Sequence, residues 1–339
     1  MKIAVVILNW NNQEFLEKFL PDLIKFSPEA ELFIIDNAST DDSMRFVKET
    51  YPDISLIFLH KNFGYAGGYN RGLEKISEKK QFDLYVLLNS DVKVSENWLK
   101  SPVELFQKNE NLAVCAPKIL DFYKPDFFEY AGAAGGFLDF LAYPFCRGRI
   151  FSILEKDQGQ YDQADQEIFW ASGACFFVRS QIFHDFDGFD SDFFCHMEEI
   201  DFCWRIKNAG YSVFFDPKSK VYHCGAGSLT QENPKKTYLN FRNNLFLIYK
   251  NQINFLFFIL FFRLILDGLA ACYFLLKGKG GHFFAVIKAH FSFYQVIFSL
   301  QKKRDSCQKM IKIPNNKGRY SKSIIWNFFI IKKQKFYEI

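Results

Sequence analysis

A chain of 339 residues that is 49% hydrophobic and 19% aromatic, with 43 Phe, can bury a sizeable core and hold one large domain or one domain with an appendage. The net charge of +4 is unevenly placed: residues 301–339 carry 11 Lys/Arg against 2 acids, which leaves the first 300 residues at −5. A mildly acidic body argues against general nucleic-acid binding, and a basic tail points to a local anionic contact, most simply a membrane surface.

The 8 Cys are scattered, and no two are spaced Cys-x-x-Cys. In a chain this long they read as small buried hydrophobes in a reducing compartment. Residues 3–8 form a continuous apolar, β-branched run, the pattern of a buried parallel strand. The run is too short for a signal-peptide core, so the chemistry is expected in the cytoplasm. The polar turn Asn9-Trp10-Asn11-Asn12 follows. Phe15, Leu16, Phe19, Leu20, Leu23 and Ile24 then recur at helical spacing, and Pro21 is expected to bend or shorten that helix.

Residues 32–35 read as a second strand that ends at Asp36-Asn37-Ala38-Ser39-Thr40. Ser39 or Thr40 can cap the next helix, and Asp41 and Asp42 suit its first turn. Residues 54–59 are a third strand, 61–72 a glycine-studded turn entering a helix, and 82–88 a fourth strand. This last run stops abruptly at Asn89-Ser90-Asp91. A helix over 98–106 and a short strand over 113–117 complete the rhythm. Alternating strands and helices are the mark of an open, mostly parallel α/β sheet, which binds ligands at the carboxyl ends of its strands.

Residues 121–166 lose the rhythm and read as an insertion of loops and hairpins. Strand-like sequence returns over 168–178, interrupted at Ser172-Gly173. A turn at 187–190, a helix over 198–209 closed by Gly210, short strands over 211–215 and 221–223, a loop at 225–228 and a helix over 238–250 follow. Residues 253–276 and 283–300 are strongly apolar, and the first stretch is long enough to span a bilayer. Arg263 and Asp267 lie near its middle, four residues apart, where they can pair. Helices lying in the membrane interface are therefore favoured over true spans. The division expected is a catalytic domain over 1–250, membrane-associated helices over 251–300 and a basic tail over 301–339.

Four polar clusters carry the candidate chemistry. Asp36 can accept the ring N–H of a uracil or thymine, with Asn9 and Trp10 at the neighbouring strand end; the same residues read equally as a helix-capping turn. Asn62, Gly64, Gly67 and Asn70 lie in a stretch whose glycines permit close backbone approach to phosphate or ribose. Its spacing is neither that of a dinucleotide fingerprint nor that of a P-loop, and a plain tight loop is its other reading. Asn89 and Asp91 can face a hard cation such as Mg²⁺ or Mn²⁺, with His223 able to complete that site. Glu198, Glu199 and Asp201 open one helix: Glu198, Asp201 and Arg205 share a face, Asp201 can pair with Arg205, and Glu199 points elsewhere, free to act as a base. A solvated acidic helix end is the other reading. Arg242 is a candidate cation for a diphosphate.

The succession Val-Val-Ile-Leu-Asn-Trp-Asn, Asp-Asn-Ala-Ser-Thr-Asp, Asn-x-Gly-Tyr-Ala-Gly-Gly-x-Asn-x-Gly, Leu-Leu-Asn-Ser-Asp, Gly-Ala-Cys-Phe-Phe-Val-Arg and Glu-Glu-Ile-Asp-Phe-Cys-Trp-Arg, then His, resembles the family 2 glycosyltransferases, and most of all their bacterial rhamnosyltransferase-like branch. The resemblance covers about residues 1–250. It implies a GT-A fold, a UDP- or dTDP-linked sugar donor, a divalent cation, and inversion at the anomeric carbon. It further implies a glycan or lipid-linked acceptor in cell-surface polysaccharide synthesis at the cytoplasmic face of the membrane. By matching position Asp36 holds the base, with Asn9 close by. Asn62, Gly64, Gly67 and Asn70 line the donor site, Asp91 and His223 take the metal, Glu199 is the base and Glu198 orients the site or acceptor. Asn89 stands where the family's Asp-x-Asp motif has its first acid, and Glu199 is one methylene longer than the Asp often found there. A sugar-nucleotide nucleotidyltransferase shares a similar sheet, but Asn9-Trp10-Asn11-Asn12 is not the basic, glycine-rich loop such an enzyme needs. A non-catalytic glycan-binding protein on the same fold is the remaining alternative, and no candidate carboxylate is missing in support of it.

Overall fold

In the computed structural model the described residues are 1–163, 167–225 and 232–339. Strand and helix alternate as β1 (Ile3–Asn9), α1 (Gln13–Lys25), β2 (Ala30–Asp36), α2 (Ser43–Thr50), β3 (Ser55–Phe58), α3 (Gly64–Lys79) and β4 (Leu84–Asn89). After them come β5 (Val92–Val94), α4 (Lys100–Lys108) and β6 (Leu112–Asp121), then four short strands, β7 (Gly136–Leu138), β8 (Pro144–Cys146), β9 (Arg149–Ile150) and β10 (Ile153–Leu154). The chain continues through β11 (Cys175–Arg179), α5 (Ser180–Asp185), α6 (Glu198–Asn208), β12 (Ser212–His223) and α7 (Pro234–Asn251), and then α8 (Leu256–Leu276), α9 (Gly280–Gln295) and α10 (Ile297–Lys309).

The main sheet has the order β3-β2-β1-β4-β11-β6-β12-β5. β1 to β4 are mutually parallel, β11 runs antiparallel between β4 and β6, β12 is parallel to β6, and β5 closes the edge antiparallel to β12. The chain leaves β1 for β2 on one side and returns to β4 on the other. The carboxyl ends of β1, β2 and β4 therefore meet at a switch point, with Asn9 opposite Asp36 and Leu8 opposite Asn89.

The sheet is buried on both faces because its strands carry apolar residues on both. Along β1, Ala4 and Val6 face a core shared with Tyr69, Leu73, Phe202 and Leu247. Ile3, Val5 and Ile7 face a second core with Leu16, Leu20, Val47, Trp98 and Phe106. Alternation of Cβ direction along a strand separates the two sets.

Several local expectations change. The α1 helix runs through Pro21 and ends at Lys25. Asp42, not Ser39 or Thr40, precedes α2, and Asp41 Oδ1 accepts from the Ser43 amide at 3.2 Å and the Ser43 hydroxyl at 2.5 Å. Ser39 instead accepts from the Asn9 side chain and the Asn11 amide, both at 3.1 Å. The two short strands read at 211–215 and 221–223 are one strand, β12, with an irregularity between Asp216 and Lys220. The rhythm-less stretch after β6 contains the small antiparallel sheet β10-β9-β8-β7. Of the loop expected at 225–228, all but Gly225 lies outside the described residues.

The tail after α10 is not a free basic arm. Lys312 and Asn315 donate backbone N–H groups to the last turn of α6, and Leu138 exchanges hydrogen bonds with Gly318 and Tyr320. Ile324 is buried against Phe145 and Ile150, and Phe336 packs with Phe137, Phe145 and Tyr161. Ile324 and Phe336 thus cover the small sheet, while Ile313, Trp326, Ile330 and Tyr337 stay exposed along the tail.

Candidate active site

At the switch point Asp36 is buried, and its Oδ1 accepts from the Ser39 amide at 3.0 Å. Asn9 is fully buried; its amide nitrogen reaches Ser39 and Ser43, and its Oδ1 is buried without a hydrogen-bond partner. An orphaned acceptor of this kind is costly unless a ligand donor meets it. Trp10, next to it, is half exposed. This side of the site is a polar floor beside an exposed aromatic ring, suited to a flat heterocycle.

The glycine-rich segment is held in place by contacts within the protein. Asn62 Oδ1 accepts from the Gly64 amide at 2.8 Å and from Asn37 at 3.1 Å, which folds the turn onto β2. Gly64 has φ +73, and a Cβ there would lie 2.4 Å from the Phe194 carbonyl oxygen. That carbonyl accepts from the Tyr65 amide at 2.8 Å and the Ala66 amide at 3.4 Å, so the start of α3 is closed by protein. Gly67 packs against Phe63 and Arg71. Asn70 clamps the Phe189 backbone from both sides, donating to its carbonyl at 2.6 Å and accepting from its amide at 2.9 Å. The segment therefore positions the 186–197 loop, and the glycines serve close packing.

Asn89 ends β4 half-buried, and its backbone N–H donates to Ala174. Asp91 sits in the tight turn into β5. The antiparallel register of β5 and β12 sets Val92 opposite His223, and the Cys224 amide donates to the Asp91 carbonyl at 3.0 Å. In consequence His223 Nε2 lies 3.2 Å from Asp91 Oδ1. On the other edge of the ring, Nδ1 lies 3.2 Å from Glu129 Oε2. All three side chains are buried. Burial alone would lower the His223 pKa; its contacts with Asp91 and Glu129 outweigh that and hold it up at about 10 in the metal-free protein.

The donor types fit a hard divalent cation: a carboxylate oxygen and an imidazole nitrogen converge at the carboxyl edge of the sheet. Among the described residues no group of three or more His, Cys, Asp or Glu is arranged to hold a metal ion by itself. A cation here needs further ligands, and Mg²⁺ commonly takes them from substrate phosphates and water.

The acidic helix start separates into two kinds of carboxylate. Asp201 is fully buried and saturated: it binds Arg205 at 2.9 Å, Lys250 at 2.8 Å and Asn251 at 2.7 Å. It knits α6 to α7. Glu198 and Glu199 each keep a buried Oε2 with no hydrogen-bond partner. Burial, with the neighbouring Glu199 charge behind it, pushes the Glu198 carboxyl well above the usual range. Burial raises Glu199 to about 7. Two adjacent carboxyls with separated titrations can divide the work, one protonated as a donor and one able to take a proton near neutral pH.

Arg242 is spent on protein. Its guanidinium donates to the carbonyls of Asp192 at 2.9 Å and Phe193 at 3.1 Å and to Asn243 Oδ1. Asn243 in turn holds the carbonyls of Phe193, Cys195 and His196. Together they brace a loop in which Phe194, His196 and Met197 all have positive φ. Such strain needs rigid surroundings and is typical of functional loops.

Sequence reasoning missed Glu129 and Asn243. Glu129 lies in the stretch without periodicity and acquires its place only through the pairing of β5, β6 and β12. Asn243 follows Arg242 in a helix whose pattern is that of any amphipathic segment.

The sheet order is that of the GT-A glycosyltransferase fold. The model of the Glycosyl transferase family 2 matches residues 4–186. The chain belongs to that family and is a glycosyltransferase. It is 25% identical over 241 residues to an N-acetylglucosaminyl-diphospho-decaprenol L-rhamnosyltransferase of Mycobacterium tuberculosis, covering 67% of this chain and 77% of that one. It is 20% identical to rhamnosyltransferase WbbL of Escherichia coli, covering 65% and 83%. Among solved structures, the mannosyltransferase PcManGT from Pyrobaculum calidifontis, in complex with GDP-Man and Mn²⁺, superimposes with a TM-score of 0.54 at 13% identity, covering 91% of this chain and 85% of that one. S. aureus TarS 1-349 in complex with UDP-GlcNAc gives a TM-score of 0.54 at 14% identity, covering 91% and 88%.

Proposed function

We propose that this enzyme transfers a sugar from a UDP- or dTDP-linked donor, with inversion, to a glycan or lipid-linked acceptor in cell-surface polysaccharide synthesis. The observation that carries the reading is the meeting of Asp91 and His223 at 3.2 Å beside the switch point. The base sits over the polar floor of Asp36 and Asn9, against Trp10. Asp91 and His223 would hold Mg²⁺ or Mn²⁺, and the cation would supply positive charge against the leaving diphosphate. Asn89 supplies a neutral oxygen in place of a second acid. Glu199, with its pKa near 7, accepts the proton of the acceptor hydroxyl as that oxygen attacks the anomeric carbon. Glu198, whose carboxyl is pushed well above the usual range by burial, orients an acceptor hydroxyl. Asp201, Arg242 and Asn70 hold the loop and helix that carry these groups.

The rhamnosyltransferase names among the relatives favour a deoxyhexose donor and a diphospholipid acceptor. The GT-A structures determined with Mn²⁺ favour cation dependence. The enzyme works at the cytoplasmic face of the membrane, attached through residues 253–300. Nucleotide release from a panel of UDP-, dTDP- and GDP-sugars, with and without Mn²⁺, tests the reading. Turnover on one class that Asp91→Ala abolishes is the result expected; equal turnover by Asp91→Ala would sink it.

A further inference from the structure

We propose that Glu129 is a positioning residue for the cation site: it faces the Nδ1 edge of His223 and favours the proton staying on that nitrogen, so that Nε2, the nitrogen beside Asp91, is the one that gives up its proton and becomes a ligand when a cation binds. The inference rests on the reading of Asp91 and His223 as the metal-binding pair.

A neutral imidazole carries one N–H, and the partner of one nitrogen decides the state of the other. Here the two edges of the ring meet two different carboxylates, each at 3.2 Å. Nδ1 is buried without an aligned hydrogen bond, and the carboxylate in contact with it is that of Glu129, at 3.2 Å. The two ring nitrogens point away from each other. Glu129 therefore lies on the far edge from Asp91 and acts on the ring rather than on an ion shared with Asp91.

The Glu129 carboxylate is itself fixed. Its Oε2 accepts from the Ala131 amide at 2.6 Å, and its backbone N–H donates to Ile119 on β6 at 3.1 Å. β6 is the strand that pairs with β12, with Asp121 opposite His223, so one ladder carries both partners. After His223 the chain turns around the carboxylate: at Gly225, with φ +66, a Cβ would stand 3.3 Å from Glu129 Oε1. Carboxylates behind metal-binding histidines fix tautomer and ring orientation, and losing one typically costs about 10–100-fold in metal affinity.

The test compares wild type, Glu129→Gln, Glu129→Ala and Asp91→Ala. Mn²⁺ binding is followed by electron paramagnetic resonance on protein saturated with UDP or dTDP, and nucleotide binding is measured separately in EDTA. Nitrogen-15 histidine spectra of the Mg²⁺ form report the His223 tautomer. Glu129→Ala is expected to weaken Mn²⁺ binding by about 10–100-fold. Glu129→Gln, which keeps an acceptor oxygen without the charge, should lose less, and nucleotide affinity in EDTA should stay at the wild-type value. Wild-type Mn²⁺ affinity in Glu129→Ala overturns the proposal, as does a parallel fall in EDTA nucleotide binding or an Nε2-protonated His223 in wild type. If Glu129→Ala does not fold, unchanged Mn²⁺ affinity in Glu129→Gln overturns it alone. If Asp91→Ala binds Mn²⁺ like wild type, the metal reading fails first and takes this inference with it.

Discussion

Asp201 and Lys250 meet at 2.8 Å in the interior, and neither is free for another partner: Asp201 also holds Arg205 and Asn251, and Lys250 also holds Asp190. The pair ties α6, which carries Glu198 and Glu199, to α7 and to the loop ahead of α6. Removing one partner leaves an uncompensated buried charge, which costs about 3–5 kcal/mol. Asp201→Ala should therefore lower stability by that amount in urea unfolding, with activity falling in step with the folded fraction. Wild-type stability with lost turnover would give Asp201 a part in the chemistry.

The pH profile of turnover tests Glu199 as the proposed base. The acid limb of kcat/KM should rise through about pH 7 and vanish in Glu199→Gln, which should retain nucleotide binding. The stability effect has the opposite sign. Between the ordinary value of 4.5 and about 7 the folded protein binds a proton that the unfolded chain has released, so stability falls as pH rises through that window. Glu199→Gln lacks this loss and should be more stable than wild type at pH 8 by about 3 kcal/mol. A variant that is less stable, or a limb that persists in it, would remove Glu199 from the base position.

The parallel half of the fold was legible because its strands are buried on both faces and read as unbroken apolar runs, 82–88 above all. Asp91 was legible as the acid on which such a run ends, and Glu199 as the helix-start acid off the Asp201–Arg205 face. What the fold itself demands of the glycines at 64 and 67 comes from the Phe194 carbonyl and the Phe63 side chain, contacts that no local pattern encodes. The small sheet after residue 135 was legible only as a region of loops and hairpins, because strands of two or three residues have no measurable period. The tail hid its docking for a similar reason: Tyr320, Ile324 and Phe336 are too irregularly spaced to form a face in sequence.

Asp91 and Asn89 should differ sharply. Asp91 stands against His223, and Asn89 is a neutral neighbour at the end of β4. Asp91→Ala should cut kcat/KM on the order of 100-fold or more, whereas Asn89→Ala should cost roughly tenfold or less. Chelation with EDTA should silence wild type, with Mn²⁺ restoring it. Equal losses in the two variants would mean that Asn89 shares the cation equally.

The α8 helix is long and apolar enough to cross a membrane, yet its midpoint is held by the protein body. Arg263 pairs with Asp267 at 3.6 Å, donates to the Leu141 carbonyl at 3.2 Å and lies over the Tyr143 ring; His290 of α9 reaches Asp267 at 3.4 Å. The charges that argued against insertion thus face the 139–143 turn. The opposite face presents Phe257, Phe261, Ile265, Leu269, Tyr273 and Leu276 near four-residue spacing, with Phe257 84% and Leu276 87% exposed. A helix packed on the catalytic domain along one side and apolar along the other suits the membrane interface, lying flat. Fully burying a Phe is worth about 1.5–3 kcal/mol, so Phe257→Glu with Phe261→Glu should weaken binding to anionic vesicles about 100-fold or more. The melting temperature should hold, since both rings project from the body. Carbonate should release the wild-type protein from membranes; retention after carbonate, with vesicle binding indifferent to the double substitution, would make α8 a true span.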